Sequence, residues 1–138
     1  MRRLSLLMSV LGLALMGCMA EATQEFRLDP AVKVRQFDVT ADYQDVYRRI
    51  MTCVQKDYPG IVRGTTFTNV RAAQITVGFV PAAGPPVVLM CMDIISPSPE
   101  SASVRVYYRP TPQAVVRDEQ VAAVEACARA VPVPSSPR

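Results

Sequence analysis

The clearest pattern in the chain is a helical one between residues 43 and 58. Asp42 precedes it as a candidate N-cap, and Pro59-Gly60 follows it as a stop. Its apolar positions recur every three or four residues, which places them on one helical face: Tyr43, Val46, Tyr47, Ile50, Cys53, Val54 and Tyr58. The stretch is therefore predicted to be an amphipathic helix with one buried face.

Alternating apolar and polar positions predict strands around this helix. A short strand precedes it at Val34 to Val39, and a Thr-rich, weaker strand follows at Thr65 to Val70. Clearer alternation follows at Ala73 to Phe79 and at Ala102 to Tyr108. Val87 to Ile95 is nearly all apolar, which is typical of a central strand covered on both faces.

A second helix is predicted over Arg117 to Val131, with Val121, Val124, Ala128 and Val131 on one side. The order is then β-α-β-β-β-β-α. Short connections between consecutive strands favour an antiparallel sheet, and both helices must cover one face to bury their apolar sides. We predict an α+β fold, a two-layer sandwich of an antiparallel sheet of four or five strands covered by two helices.

The amino terminus has the pattern of an export signal. Met1-Arg2-Arg3 is basic and Leu4 to Met16 is mainly apolar, as in a secretory signal peptide. The run ends in Leu15-Met16-Gly17-Cys18, which resembles the lipobox of bacterial lipoproteins. In that family the cysteine is lipidated and the signal peptide is cut just before it. The alternative is a plain secretory cleavage site within Gly17 to Ala22.

This resemblance implies a membrane anchor at Cys18 and cleavage between Gly17 and Cys18. Met19, rather than Asp, follows the cysteine, which implies the periplasmic face of the outer membrane, although an inner-membrane or surface location stays open. The division predicted from composition is a signal peptide at 1–17, a lipidated N-terminus with a flexible tether at 18–34, the α+β domain at 35–131, and a Pro-rich disordered tail at 132–138.

Phe37-Asp38-Val39, followed by Val46-Tyr47-Arg48, is similar to small uncharacterised proteobacterial lipoproteins and to the helix-grip domains of BamC-type assembly lipoproteins. An oxidising compartment favours one disulfide and one buried thiol among the three cysteines beyond the lipobox. The resemblance favours Cys53–Cys127, which would join the two helices, and Cys53–Cys91 remains an alternative. Their spacing and the absence of histidine argue against a metal site or redox catalysis.

Charge and composition narrow the function further. The chain has 138 residues, 15 Lys or Arg, 12 Asp or Glu, and a formal charge of +3. Removing residues 1–17 takes away two arginines and leaves 13 minus 12, or +1, so a nucleic-acid footprint is absent. Without histidine the chain lacks the usual general base. We therefore expect neither an enzyme nor a cofactor.

Three acidic or aromatic features remain. Asp93 lies within the apolar strand; it is either a buried carboxylate with a raised pKa, or it faces solvent or pairs with an arginine on a neighbouring strand. Asp118-Glu119 fits the start of the last helix. Tyr107 and Tyr108 mark either a partner-binding patch or ordinary cross-strand packing.

The function that we expect is a non-catalytic, membrane-anchored periplasmic lipoprotein that binds an envelope protein or assists envelope assembly. A carrier of lipid or a small apolar ligand is the alternative, and it would need an apolar cavity between Met90, Met92 and the first helix. An envelope hydrolase would need two carboxylates converging across a pocket.

Overall fold

The computed structural model describes residues 23–58, 61–79, 81–110 and 116–130. The strands and helices follow in chain order: β1 (Lys33–Val39), α1 (Tyr43–Asp57), β2 (Ile61–Phe67), β3 (Ala72–Phe79), β4 (Val87–Ser98), β5 (Ser101–Tyr108) and α2 (Asp118–Arg129). A 3-10 turn, Thr68–Val70, joins β2 to β3. Residues 23–28 are also helical.

The five strands form one antiparallel sheet in the order β1-β5-β4-β3-β2. Strands β2 to β5 are a meander of sequence neighbours. Strand β1 pairs with the last strand, with Phe37 opposite Val104. The predicted α+β fold, with helices packed on an antiparallel sheet, is confirmed.

The core lies between the inner face of the sheet and the two helices. Alternation along each strand sends every second side chain inward. On the central strand β4, Met90, Met92 and Ile94 are fully buried. They belong to the same cluster as Val46, Ile50 and Val54 of α1 and Val121 and Val124 of α2. Each fully buried aliphatic side chain contributes about 1.5–3 kcal/mol through the area removed from water.

Helix α1 begins where its sequence predicted. The Asp42 carboxylate accepts a hydrogen bond from the backbone N–H of Gln44 at 3.3 Å and therefore caps the first turn. The same carboxylate forms an ion pair with Arg71 at 2.6 Å. The Ser96 hydroxyl accepts from the Tyr43 N–H at 2.9 Å. These contacts fix the helix start to the loop after β2 and to the end of β4.

The bounds of strands β2 and β4 differ from the sequence prediction. Strand β2 runs from Ile61 to Phe67 rather than from Thr65 to Val70, since Gly64 interrupts the side-chain alternation and residues 68–70 form a 3-10 turn. A Cβ on Gly64 would lie 2.1 Å from the Tyr47 hydroxyl oxygen, so a side chain at this position would require the Tyr47 ring to move. Strand β4 extends to Ser98, because Ser98 pairs with Ser101. The sequence prediction ended this strand at Ile95.

The start of the described chain also differs from prediction. Residues 23–32, called here the N-terminal segment, pack on the outer face of the sheet, away from the two helices. Phe26 is buried, Arg27 forms an ion pair with Asp93 of β4, and Arg109 forms one with Asp29. Residues 18–34 were predicted to be a flexible tether, but residues 23–32 of that range are packed against the sheet. Residues 18–22 and the predicted tail 132–138 lie outside the described residues.

Candidate functional site

The predicted lipidation and cleavage residues, Gly17 and Cys18, lie outside the described residues. Of the chemistry predicted from sequence, the structure therefore places three cysteines, the unusual Asp93 and the tyrosine pair.

A disulfide joins Cys53 of α1 to Cys127 of α2, as the sequence analysis favoured, with 6.5 Å between the two Cα atoms. The helices pack side by side on the same sheet face, which brings these positions together. Cys91 is a free, buried thiol, so the alternative Cys53–Cys91 pairing is not formed. The two layers of the domain thus separate the disulfide from the third cysteine.

A groove of about 440 Å³ follows the disulfide along the two helices. Arg48 and Arg49 of α1 line it together with Cys53 and Cys127. Arg49 donates a hydrogen bond to the Ala128 carbonyl oxygen at 3.0 Å, where it satisfies a backbone group at the end of α2. The groove is open to solvent, and both arginines have structural partners, since Arg48 forms an ion pair with Asp45 at 3.2 Å.

The largest group of polar contacts lies on the outer face of the sheet, beneath Arg27. Its guanidinium forms an ion pair with Asp93 and donates to the Cys91 sulfur at 3.3 Å. It also lies over the Tyr107 ring, with 5.5 Å from Cζ to the ring centroid. Gln74 on β3 donates to the same Asp93 oxygen at 3.3 Å. One arginine from the N-terminal segment therefore contacts the two central strands of the outer face.

Asp93 is partly buried and forms an ion pair with an arginine, which was part of the second of the two sequence-based interpretations. The partner is Arg27 of the N-terminal segment and not an arginine of a neighbouring strand, although Arg105 of β5 lies opposite Asp93 in the register. Sequence reasoning missed Arg27 because it assigned residues 18–34 to a tether. No periodic pattern indicates a contact between residues 66 positions apart.

Cys91 lies in a protected position below this ion pair. Burial raises the pKa of its thiol above the usual value, while the nearby Arg27 acts in the opposite direction. A protonated, covered thiol is a poor nucleophile. The position explains why the central strand tolerates a cysteine without a disulfide partner.

The two tyrosines do not form an exposed patch. Tyr107 is covered by Arg27 on the outer face. Tyr108 points to the inner face and donates to the Asp118 carboxylate at 2.8 Å, at the start of α2. This hydrogen bond, with Lys33 nearby, holds the pKa of Asp118 below its usual range. Both rings are ordinary parts of the packing.

About half of the described carboxylates form ion pairs with Lys or Arg. Six of them form ion pairs: Asp29, Asp42, Asp45, Asp93, Asp118 and Glu125. Within residues 23–58, 61–79, 81–110 and 116–130, no group of three His, Cys, Asp or Glu side chains is placed to hold a metal ion.

The space that a ligand carrier would need is filled by side chains. Met90 and Met92 are fully buried, with 0% of their surface accessible to solvent. Both belong to the core cluster that contains Val46, Ile50 and Val54 of α1. This packing is an observation against the carrier alternative.

Apolar side chains remain exposed at the two ends of the sheet. One end of the sheet contains the first residues of β1 and β4 and the last residues of β3 and β5. We call it the proximal end, because the N-terminal segment lies there. Phe79 and Val87 are exposed at this end, and Phe67, Val70 and Ile95 are exposed at the opposite, far end. Ile95 follows the inward-facing Ile94, so strict alternation along β4 was the signal that placed it outside.

Comparisons with known proteins add little. No family model and no curated protein matches the chain. None of the described helices has the length and apolar character to span a bilayer. Among solved structures, the chain is similar to a TBP-like protein from Parabacteroides distasonis, with 11% sequence identity and a TM-score of 0.38, covering 72% of this chain and 94% of that one. A likeness at this level says nothing about activity or partners.

Proposed function

We propose that the mature chain is a non-catalytic lipoprotein of the outer membrane, anchored through lipid on Cys18, whose periplasmic domain binds another envelope protein or assists envelope assembly. The observation that carries the proposal is Leu15-Met16-Gly17-Cys18 at the end of an apolar export signal. The Cys18 thiol would be the nucleophile that takes the lipid. Several acyl chains, at about 0.8 kcal/mol per buried methylene, would make the attachment effectively permanent.

The disulfide supports the export part of the proposal. Disulfides persist in the periplasm and are rare in the reducing cytosol. Cys53 and Cys127 are 74 residues apart in sequence, yet helix packing brings them to bonding distance. A chain that folds in the periplasm could use this bond to stabilise a domain of modest size.

The exposed apolar surface supports a binding role. The far-end apolar group, defined as Phe67, Val70 and Ile95, has side chains 44–61% exposed on one end of the domain. Exposed apolar side chains that lie together are typical of protein-binding surfaces.

The anchor is tested by expressing the full chain and a Cys18→Ser variant in a Gram-negative host. We expect wild-type protein in the outer-membrane fraction, with residues 1–17 removed and acyl groups on Cys18 by mass spectrometry. The variant should remain unacylated and leave that fraction. Cleavage at another site with an unmodified Cys18 would contradict the proposal and favour the plain secretory alternative.

Partner binding is tested by capture from native envelopes with the lipidated protein. Ile95→Ser is the test variant and Val34→Ser, another exposed apolar position at 53% compared with 54%, is its matched control. Wild type and Val34→Ser should capture the same specific envelope protein. Ile95→Ser should capture about tenfold less of it, as the loss of a central interface contact predicts. Equal retention by both variants would rule out the far-end apolar group as the binding surface.

A further inference from the structure

The link between the anchor and the folded domain is short. Thr23 and Phe26 are already buried, with 7% and 6% of their surface accessible. Four residues, 19–22, separate Thr23 from Cys18. Five residue steps span at most about 18 Å, so a lipid on Cys18 would hold the N-terminal segment close to the bilayer.

The N-terminal segment is fixed at the proximal end of the sheet. Arg109, directly after β5, forms an ion pair with Asp29 and lies over the Phe26 ring, 5.7 Å from its centroid. Glu25 and Phe26 border a groove with Val87, the first residue of β4. The contacts of Phe26 and Asp29 therefore place the segment that receives the link nearer the proximal end than the far end.

Apolar side chains are exposed beside this attachment. Val87 lies opposite Phe79 in the register of β3 and β4, and both are partly exposed. Leu28, within the segment itself, is 75% exposed. The nearby cations Arg109 and Lys33 are paired with Asp29 and Asp118, so apolar contact is a better match to the surface than attraction to anionic head groups.

We propose that the proximal end faces the bilayer that holds the anchor, with Leu28, Phe79 and Val87 in contact with the lipid surface. The inference rests on the proposed lipidation of Cys18. It fixes the orientation of the domain, because the far-end apolar group then projects into the periplasm, where a protein partner would meet it.

The test uses inserted tryptophans, since the chain contains none. Phe79→Trp and Phe67→Trp replace aromatic side chains of nearly equal exposure, 43% and 44%, at opposite ends of the sheet. Phe67 is level with Ala72, so β3 separates the two probes by about 23 Å. Each acylated variant is placed in vesicles of phosphatidylcholine brominated on its acyl chains, a short-range quencher. We expect fractional quenching about twofold or more greater for Phe79→Trp, since tryptophan favours the bilayer interface.

Two controls separate this inference from the proposed function. Mass spectrometry of the same samples establishes acylation of Cys18, and failure there would refute the anchor itself. A flexible Gly/Ser insertion after Ala20 lengthens the link and should reduce the quenching of Phe79→Trp without affecting acylation. Equal quenching of both probes in acylated protein, or stronger quenching of Phe67→Trp, would overturn the orientation while leaving the anchor intact.

Discussion

At the scale of single residues, Arg27 has the most consequences. One side chain neutralises Asp93 on the central strand, covers the Tyr107 ring and hydrogen-bonds the Cys91 sulfur. Its side chain is 21% exposed, so this ion pair is partly shielded from solvent screening. Removing it would leave Asp93 without its charge partner and open the path to Cys91.

We therefore expect Arg27→Ala to increase the reactivity of Cys91. In a chain with Cys18→Ser, Cys91 is the one free thiol, since the others form the disulfide. Its reaction with a thiol reagent should accelerate about tenfold or more, through easier local opening of the N-terminal segment. Because burial raises the pKa of Cys91, the wild-type rate should keep rising at a pH where an ordinary thiol has levelled off.

The control for this prediction is Arg63→Ala, which removes an exposed arginine from β2. It should leave the rate unchanged. Equal rates for Arg27→Ala and wild type, with both proteins fully folded by circular dichroism, would show that Arg27 does not protect the thiol.

At the scale of elements, the sequence pattern predicted the two helices better than it predicted the N-terminal segment or the pairing of β1 with β5. Helix α1 carries its own signals, an N-cap at Asp42 and a continuous apolar stripe, and its predicted bounds agree within one residue. The N-terminal segment has no such signal. It is held by ion pairs of Arg27 and Asp29 with residues 66 and 80 positions away, which local periodicity cannot indicate. Pairing of β1 with β5 is likewise a tertiary property.

The Cys53–Cys127 disulfide links the two helices covalently. Helix α2 has 12 residues and α1 has 15, and the bond from Cys127 joins α2 covalently to α1. For a bond that closes a 74-residue separation, the chain-entropy model gives about 4 kcal/mol of stabilisation.

We accordingly expect the double variant Cys53→Ala/Cys127→Ala to lose about 4 kcal/mol of unfolding free energy, measured by urea denaturation. Reduction of the wild-type protein should produce the same loss and should not destabilise the variant further. Cys91→Ala, which leaves the disulfide intact, is the matched control. A loss below about 1 kcal/mol would mean that helix packing alone fixes α2.

At the scale of the whole molecule, the two faces of the sheet are stabilised differently. The inner face is an apolar core that alternation predicted, including Met90 and Ile94 of β4. The periphery and the outer face depend on arginine–carboxylate pairs that connect distant parts of the chain. Composition showed thirteen arginines among the fifteen basic residues, but it could not show which acids they contact. The candidate site was therefore predictable in its cysteines and not in its ion pairs.

Glu125 of α2 shows how such pairs make stability depend on pH. Burial acts to raise its pKa, but hydrogen bonds from Arg129 and Arg35 outweigh burial and hold the pKa below its ordinary value of 4.5. Arg35 belongs to the edge strand β1, with 2.5 Å between its Nη2 and a Glu125 oxygen. Because the folded-state pKa is lowered, this stabilisation is present above about pH 4.5 and is lost as pH falls through the folded-state pKa.

Glu125→Gln should therefore lower the unfolding free energy at neutral pH by about 1 kcal/mol, the scale of a partly shielded pair. It should also flatten the decline in stability between about pH 5 and pH 3, because the group that takes up the proton is gone. Urea denaturation across this range measures both effects. Glu119→Gln removes an exposed carboxylate from the same helix and should keep the wild-type pH profile. If the two variants follow the same profile, the contacts from Arg35 and Arg129 do not stabilise the folded chain.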